Sequence, residues 1–117
     1  MSKGKALMIL HGKQALNDEV RAAVMLKRKQ GWDLAVRLTW EAGDARRCVD
    51  EALDAGYTRL IAGGGDGTLR DIAEAIAHRS SDASLVLLPL GTANDFARAA
   101  GVPLEPAQAL DLSLIHI

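Results

Sequence analysis

Residues 63–68 of this chain read Gly63-Gly64-Gly65-Asp66-Gly67-Thr68, with a short apolar run, Arg59 to Ala62, before them. After them Leu69, Ile72, Ala73 and Ile76 recur at helical spacing. The pattern predicts a strand that enters a glycine turn and leaves it as a helix. Four glycines in five positions keep the turn nearly free of side chains. Its backbone is then open to left-handed dihedrals and to close approach by a ligand. The amides of such a turn, with the N-terminus of the following helix, suit an anion and most naturally a phosphate. The stretch has neither the Gly-Lys-Ser/Thr of a P-loop nor the spacing of the dinucleotide fingerprint. By itself it also fits a plain tight connection.

The rest of the chain narrows these readings. Lys5 to Leu10 reads as a buried first strand, and His11-Gly12-Lys13 as the turn after it. Asn17-Asp18 caps a helix from about Glu19 to Gln30, which Gly31 ends. Trp32 to Leu38 is a second strand closing at Thr39-Trp40. Gly43-Asp44 opens a second helix through Ala55, stopped by Gly56. Arg59 to Ala62 is the third strand, followed by the glycine turn and a third helix to about His78. Ser84 to Leu88 is the fourth strand. Pro89-Leu90-Gly91-Thr92 forms a second turn, Ala93 to Ala100 a short helix, and Glu105 to Leu112 the start of another.

Strands alternating with helices predict an α/β fold: a parallel sheet with right-handed crossovers and helices on both faces, in three layers. Ligands of such sheets bind outside the carboxyl ends of the strands. The turns after strands one, three and four fall on that edge, as does Thr39. Two glycine turns facing one cleft are a far more specific signal than either alone.

Composition removes several classes of function. With 117 residues and 49% hydrophobic positions the chain makes one domain with a real core. Only 3% are aromatic, so that core is built of Leu, Ile, Val and Ala, as in parallel sheets. A net charge of −1 argues against non-specific nucleic-acid binding. The single cysteine, Cys48, has no disulfide partner and reads as an inert small residue on a helix. Ala6 to Leu10 is too short for a signal peptide, and no run approaches the ~20 residues of a membrane span. A cytoplasmic location is expected.

Among the candidate residues, Asp66 is the most informative. Like charges ~4 Å apart at an effective dielectric of ~20 repel by about 4 kcal/mol, so a carboxylate beside phosphates needs a reason. It either holds Mg2+ between itself and the phosphates, orients an acceptor hydroxyl, or merely bonds its own turn amides. Thr68 and Thr92 offer hydroxyls to phosphate or serve only as helix caps. Asn94 and Asp95 also start a helix, where capping competes with function, and Asp95 pairs with Arg98. Lys13 reads as a solvated lysine; His11, His78 and His116 have no partners in sequence; Trp32 and Trp40 read as packing residues.

Gly64-Gly65-Asp66-Gly67-Thr68, followed by Pro89-Leu90-Gly91-Thr92-Ala93-Asn94-Asp95-Phe96-Ala97-Arg98, resembles the catalytic-domain motifs of the diacylglycerol kinase family. Val36 to Glu41 and the His11-Gly12-Lys13 turn are similar to its bacterial YegS-like lipid kinase subgroup. The resemblance covers nearly the whole chain. It implies the Rossmann-like nucleotide-binding domain shared with NAD kinases and phosphofructokinases. It further implies transfer of the ATP γ-phosphate to a lipid hydroxyl, with Mg2+, at the membrane surface. Nucleotide contacts then fall on Thr39, on Gly64, Gly65, Asp66, Gly67, Thr68, Leu69, Arg70 and Asp71, and on Thr92, with Asp66 as the catalytic candidate. Three departures stand out. Arg70-Asp71 replaces the family's Asn-Glu, and His11 its usual Asn. The family's second domain, with its general base and further metal carboxylates, does not follow, so residues 1–117 read as a fragment, inactive alone. A NAD kinase-like small-molecule kinase and a non-catalytic nucleotide-binding module are the competing readings.

Overall fold

A computed structural model describes residues 5–41, 43–81, 83–89 and 115–116; for Asp66, Pro89, Ile115 and His116 it describes the backbone alone. The expected turn at Leu90 to Thr92, the helices at Ala93–Ala100 and Glu105–Leu112, and the candidates Thr92, Asn94, Asp95 and Arg98 lie outside the described residues.

The first strand, β1 (Lys5–His11), leads through a single 3-10 turn (Gly12–Gln14) into α1 (Asp18–Lys29). Then come β2 (Asp33–Thr39), α2 (Asp44–Asp54), β3 (Arg59–Gly64), α3 (Asp66–His78), β4 (Ser84–Pro89) and β5 (Ile115–His116). The sheet order is β2-β1-β3-β4-β5. The first four strands are parallel, with Leu7 opposite Ala35 and Leu60, and Leu60 opposite Leu85. The last is an antiparallel addition in which Ser84 faces His116. The expected parallel α/β architecture is thus present; the antiparallel pairing at residues 115–116 was not foreseen.

Ala6 to Leu10 are all buried because β1 is central and covered on both faces. The two-residue period divides them. Leu7 and Ile9 join Ala45, Cys48, Val49 and Ala52 of α2 and Leu69, Ile72 and Ile76 of α3. Ala6, Met8 and Leu10 join Val20, Ala23 and Val24 of α1. The three layers are therefore α1, the sheet, and the pair α2–α3. Cys48 sits inside the core shared with α2 and α3, and burial pushes its thiol pKa up. Arg79 ties the helix pair together, reaching Asp54 at 2.7 Å and Asp50 at 3.4 Å.

Helix ends follow the sequence signals. The Asn17 side chain accepts the Glu19 and Val20 amides, capping α1. Gly31 and Gly56, with φ of 97° and 88°, take left-handed conformations just beyond α1 and α2. The glycine run itself differs from expectation. Its strand continues through Gly64 and α3 begins at Asp66, so the turn is Gly65 alone, with φ −94° and ψ −164°. None of Gly63, Gly64, Gly65 and Gly67 has positive φ. Space rather than dihedral freedom requires the first two. A Cβ on Gly63 would lie 2.9 Å from Leu10 Cδ1, and one on Gly64 2.6 Å from Thr68 Oγ1.

The tryptophans part company. Trp32 is packed, 8% exposed, with the Lys27 ammonium 5.6 Å and the Arg59 guanidinium 5.4 Å from its ring centroid. Trp40, also expected to pack, is 76% exposed, because the strand ends at Thr39 and no core face continues beneath residue 40.

Candidate functional site

The order β2-β1-β3-β4 reverses direction between β1 and β3. The chain leaves β1 for α1 on one face and leaves β3 for α3 on the other. A crevice opens between two such strands at their carboxyl ends, where doubly wound sheets receive ligands. Here the crevice is bounded by the turn Gly12–Gln14 after β1 and by Gly65 and the start of α3 after β3.

The first helical bond of α3 runs from the Leu69 amide to the Gly65 carbonyl at 3.2 Å. The amides of Asp66, Gly67 and Thr68 precede it and have no intrahelical partner. Gly65, at the cap position, supplies no side-chain acceptor. Three amides and the positive end of the helix dipole therefore converge on one spot. Thr68 sits over Gly64, its Oγ1 filling the room a side chain there would need. Gly67 is different: a Cβ built on it meets nothing within 4 Å. Packing does not require glycine at residue 67, in the first turn of a helix where glycine costs up to about 1 kcal/mol. The first turn of α3 thus combines amides without helical partners and open space at Gly67, room that a ligand could use.

The other candidates are placed as follows. Asp66 contributes its backbone as the first residue of α3. Leu69 is 6% exposed, its side chain in the core and its amide already bonded. Arg70 and Asp71 are exposed on the next half-turn. Asp71 borders a surface hollow shared with Arg46, Glu74 and His78. Thr39 is buried at the end of β2, opposite His11. Among the described residues no three His, Cys, Asp or Glu side chains gather as a metal site.

Three contributors escaped the sequence reading. His11 Nδ1 accepts the Lys13 amide at 3.1 Å, as an asparagine oxygen does in the same kind of turn. Histidine can thus serve where the family resemblance leads one to expect Asn. Gly12 must be glycine because its Cβ would lie 2.6 Å from the Thr39 carbonyl oxygen and 3.4 Å from Trp40 Cε3. Asp44, buried at the start of α2, accepts the Trp40 and Glu41 amides at 2.8 and 2.9 Å and pairs with Arg47 at 3.0 Å. Those two amides hold its carboxyl pKa below the ordinary value, with Arg47 adding to them. An Asp one residue after a glycine at a strand–helix junction was the available signal for this clamp.

Comparison with known proteins identifies the family. The family profile described as "Diacylglycerol kinase catalytic domain" matches residues 5–116. A Pseudomonas fluorescens protein named "Probable lipid kinase YegS-like" is 80% identical over 112 residues, covering 96% of this chain and 38% of its own length. One of the same name from Pseudomonas aeruginosa is 69% identical, with 96% and 37% covered. Among solved structures, a diacylglycerol kinase from Bacillus anthracis aligns with a TM-score of 0.76 at 30% identity, over 91% of this chain and 38% of that one. The chain thus spans well under half the length of the relatives it matches.

Proposed function

The chain belongs to the diacylglycerol kinase catalytic-domain family, and from that membership we propose that it forms the ATP-binding part of an ATP-dependent lipid kinase. The observation that carries the reading is the first turn of α3, whose amides have no helical partner and whose Gly67 leaves its Cβ position open. In this reading the terminal phosphates of ATP lie on Asp66, Gly67 and Thr68, with the Thr68 hydroxyl at the margin. The nucleoside extends across β1 toward Thr39.

The donor set fits both cofactors. Amide N–H groups and a helix N-terminus suit phosphate oxygens. Mg2+ commonly enters held by phosphates and one or two carboxylates, and Asp66 is the residue we propose to share it. When bound, the ion supplies charge neutralisation on the phosphate oxygens. This chain's own part is to hold the triphosphate in line for attack, since phosphoryl transfer depends mainly on position and electrostatics. In the transfer itself a lipid hydroxyl oxygen bonds to the γ-phosphorus, the bond to the ADP oxygen breaks, and the hydroxyl proton passes to a base. That base and the lipid seat are assigned to the further length that the relatives have.

Contact with a lipid substrate implies work at a membrane surface. No helix among the described residues is long and apolar enough to cross a membrane, so peripheral attachment is the mode proposed. The deciding experiment has two halves. Mg-ATP titrated into the 117-residue chain should shift amides at Gly64 to Thr68, whereas shifts confined to the amino-end loops of the strands would refute the site. A full-length relative assayed on lipid, NAD and sugar phosphate should phosphorylate lipid alone, and the 117-residue chain should transfer nothing.

A further inference from the structure

We infer that Trp40 is the stacking platform for the heteroaromatic base of the bound nucleotide, which assigns the base to the carboxyl end of β2. The inference rests on the nucleotide-binding reading above and places the half of the ligand that the phosphate seat leaves open.

The chain has two tryptophans and treats them oppositely. Trp32 is buried beneath two cations, whereas Trp40 keeps 76% of its surface in solvent. An exposed indole is usually mobile, but the backbone that carries this one is held. Its own amide donates to Asp44 Oδ2 at 2.8 Å, and the Glu41 amide donates to the same oxygen at 2.9 Å. Arg47 fixes the other carboxylate oxygen at 3.0 Å. One edge of the ring rests near Gly12, where its Cε3 is 3.4 Å from the Cβ that glycine lacks. The residue is thus pinned by its backbone, supported along an edge, and otherwise bare.

Its position completes the case. Trp40 follows Thr39, which pairs with His11 at the end of β1, and Leu10 of β1 pairs with Gly63 of β3. β2 and β3 lie on either side of β1, so the indole and the amide seat of α3 are about two strand spacings apart, roughly 10 Å. That is the reach of a ribose and its phosphates. A π face there binds any base, because stacking does not read hydrogen-bond patterns. Leu16, 86% exposed between the turn after β1 and α1, makes a membrane role for this edge the natural rival. The placement of Trp40 beside Thr39, in line with the amide seat, favours the base.

Calorimetry on the 117-residue chain separates the two. Trp40→Ala should weaken Mg-ATP and Mg-GTP about tenfold or more, and Trp40→Phe should recover most of the loss. Mg-tripolyphosphate, which has no base, should bind both variants like the parent; a merely structural role for Trp40 would weaken it too. Mg-ATP should also quench the indole emission. Normal ATP affinity in Trp40→Ala, with amide shifts at Gly64 to Thr68 intact, overturns this inference alone. So does an emission that ignores ATP and moves to the blue only with anionic phospholipid vesicles. A parent chain that binds no nucleotide overturns both this inference and the reading beneath it.

Discussion

Replacing Gly67 by alanine should make the fold more stable and the site worse, and the opposition of the two effects is the test. Gly67 is the second residue of α3, its φ is not positive, and its absent Cβ has nothing within 4 Å. Alanine therefore enters without strain. It removes conformational freedom from the unfolded chain and improves helix propensity, together worth about 0.4–1 kcal/mol. For a domain of this size that raises Tm by roughly 2–5 °C. The new methyl, however, takes up open space in the first turn of α3, and in the proposed site a phosphate kept from close approach loses charge-assisted hydrogen bonds. Each is worth about 1.5–3 kcal/mol, so losing one raises the Kd for Mg-ATP at least about tenfold. Thermal melting and calorimetry on the same two samples give both numbers. A stabilised variant with undiminished affinity would show that no ligand approaches Gly67. A destabilised one would show that the space before it is already filled.

Gly64→Ala should behave differently, because its Cβ would lie 2.6 Å from Thr68 Oγ1 and 2.9 Å from Thr68 Cβ. Stability should fall by about 1–3 kcal/mol in denaturant titrations, and Gly64→Ala with Thr68→Ser should recover part of the loss. In a full-length relative, Asp66→Asn should lower kcat by roughly 100-fold while ATP affinity holds or rises, because one negative charge leaves the phosphates; near-normal kcat would reduce Asp66 to a turn residue. Asp44→Ala should destabilise the chain at pH 7 by removing the clamp on the Trp40 and Glu41 amides. Since folding lowers the Asp44 pKa from 3.8, its contribution is complete above that pH and fades as pH falls below it, so the melting curves of parent and variant should converge in acid. A difference independent of pH would mean that the charge is not what acts.

What the sequence told, and what it withheld, divides along a physical line. Strand and helix placement was legible because buried parallel strands are continuous apolar runs and helix ends carry Asn17, Gly31 and Gly56. That residues 63–68 lead a strand through glycine into a helix was legible too. Their geometry was not, because glycine in sequence does not say whether it serves a dihedral, a crowded neighbour or an absent ligand. Gly64, crowded by Thr68, and Gly67, facing open space, look alike as letters. Asp44 was hidden for a related reason: a carboxylate opening a helix satisfies the dipole whether or not it also reaches back to residues 40 and 41. Trp40 was misjudged because aromatic residues generally pack, and only the end of β2 at Thr39 leaves it outside.

The central place of β1 has a consequence for how the protein is made. On a ribosome β1 emerges before the other described strands, and β2 becomes available to it once residues 33–39 are out. Its other edge waits for β3, whose Arg59 is the partner of Ala6. Through that interval Leu7, Met8 and Ile9 present an unpaired apolar strand edge, the kind of surface on which nascent chains join one another. Leu60, Ile61 and Ala62 close the exposure, as the partners of Leu7, Met8 and Ile9, and they run directly into the glycines. The strand that shields β1 during synthesis is thus the one that carries the proposed phosphate seat at its end.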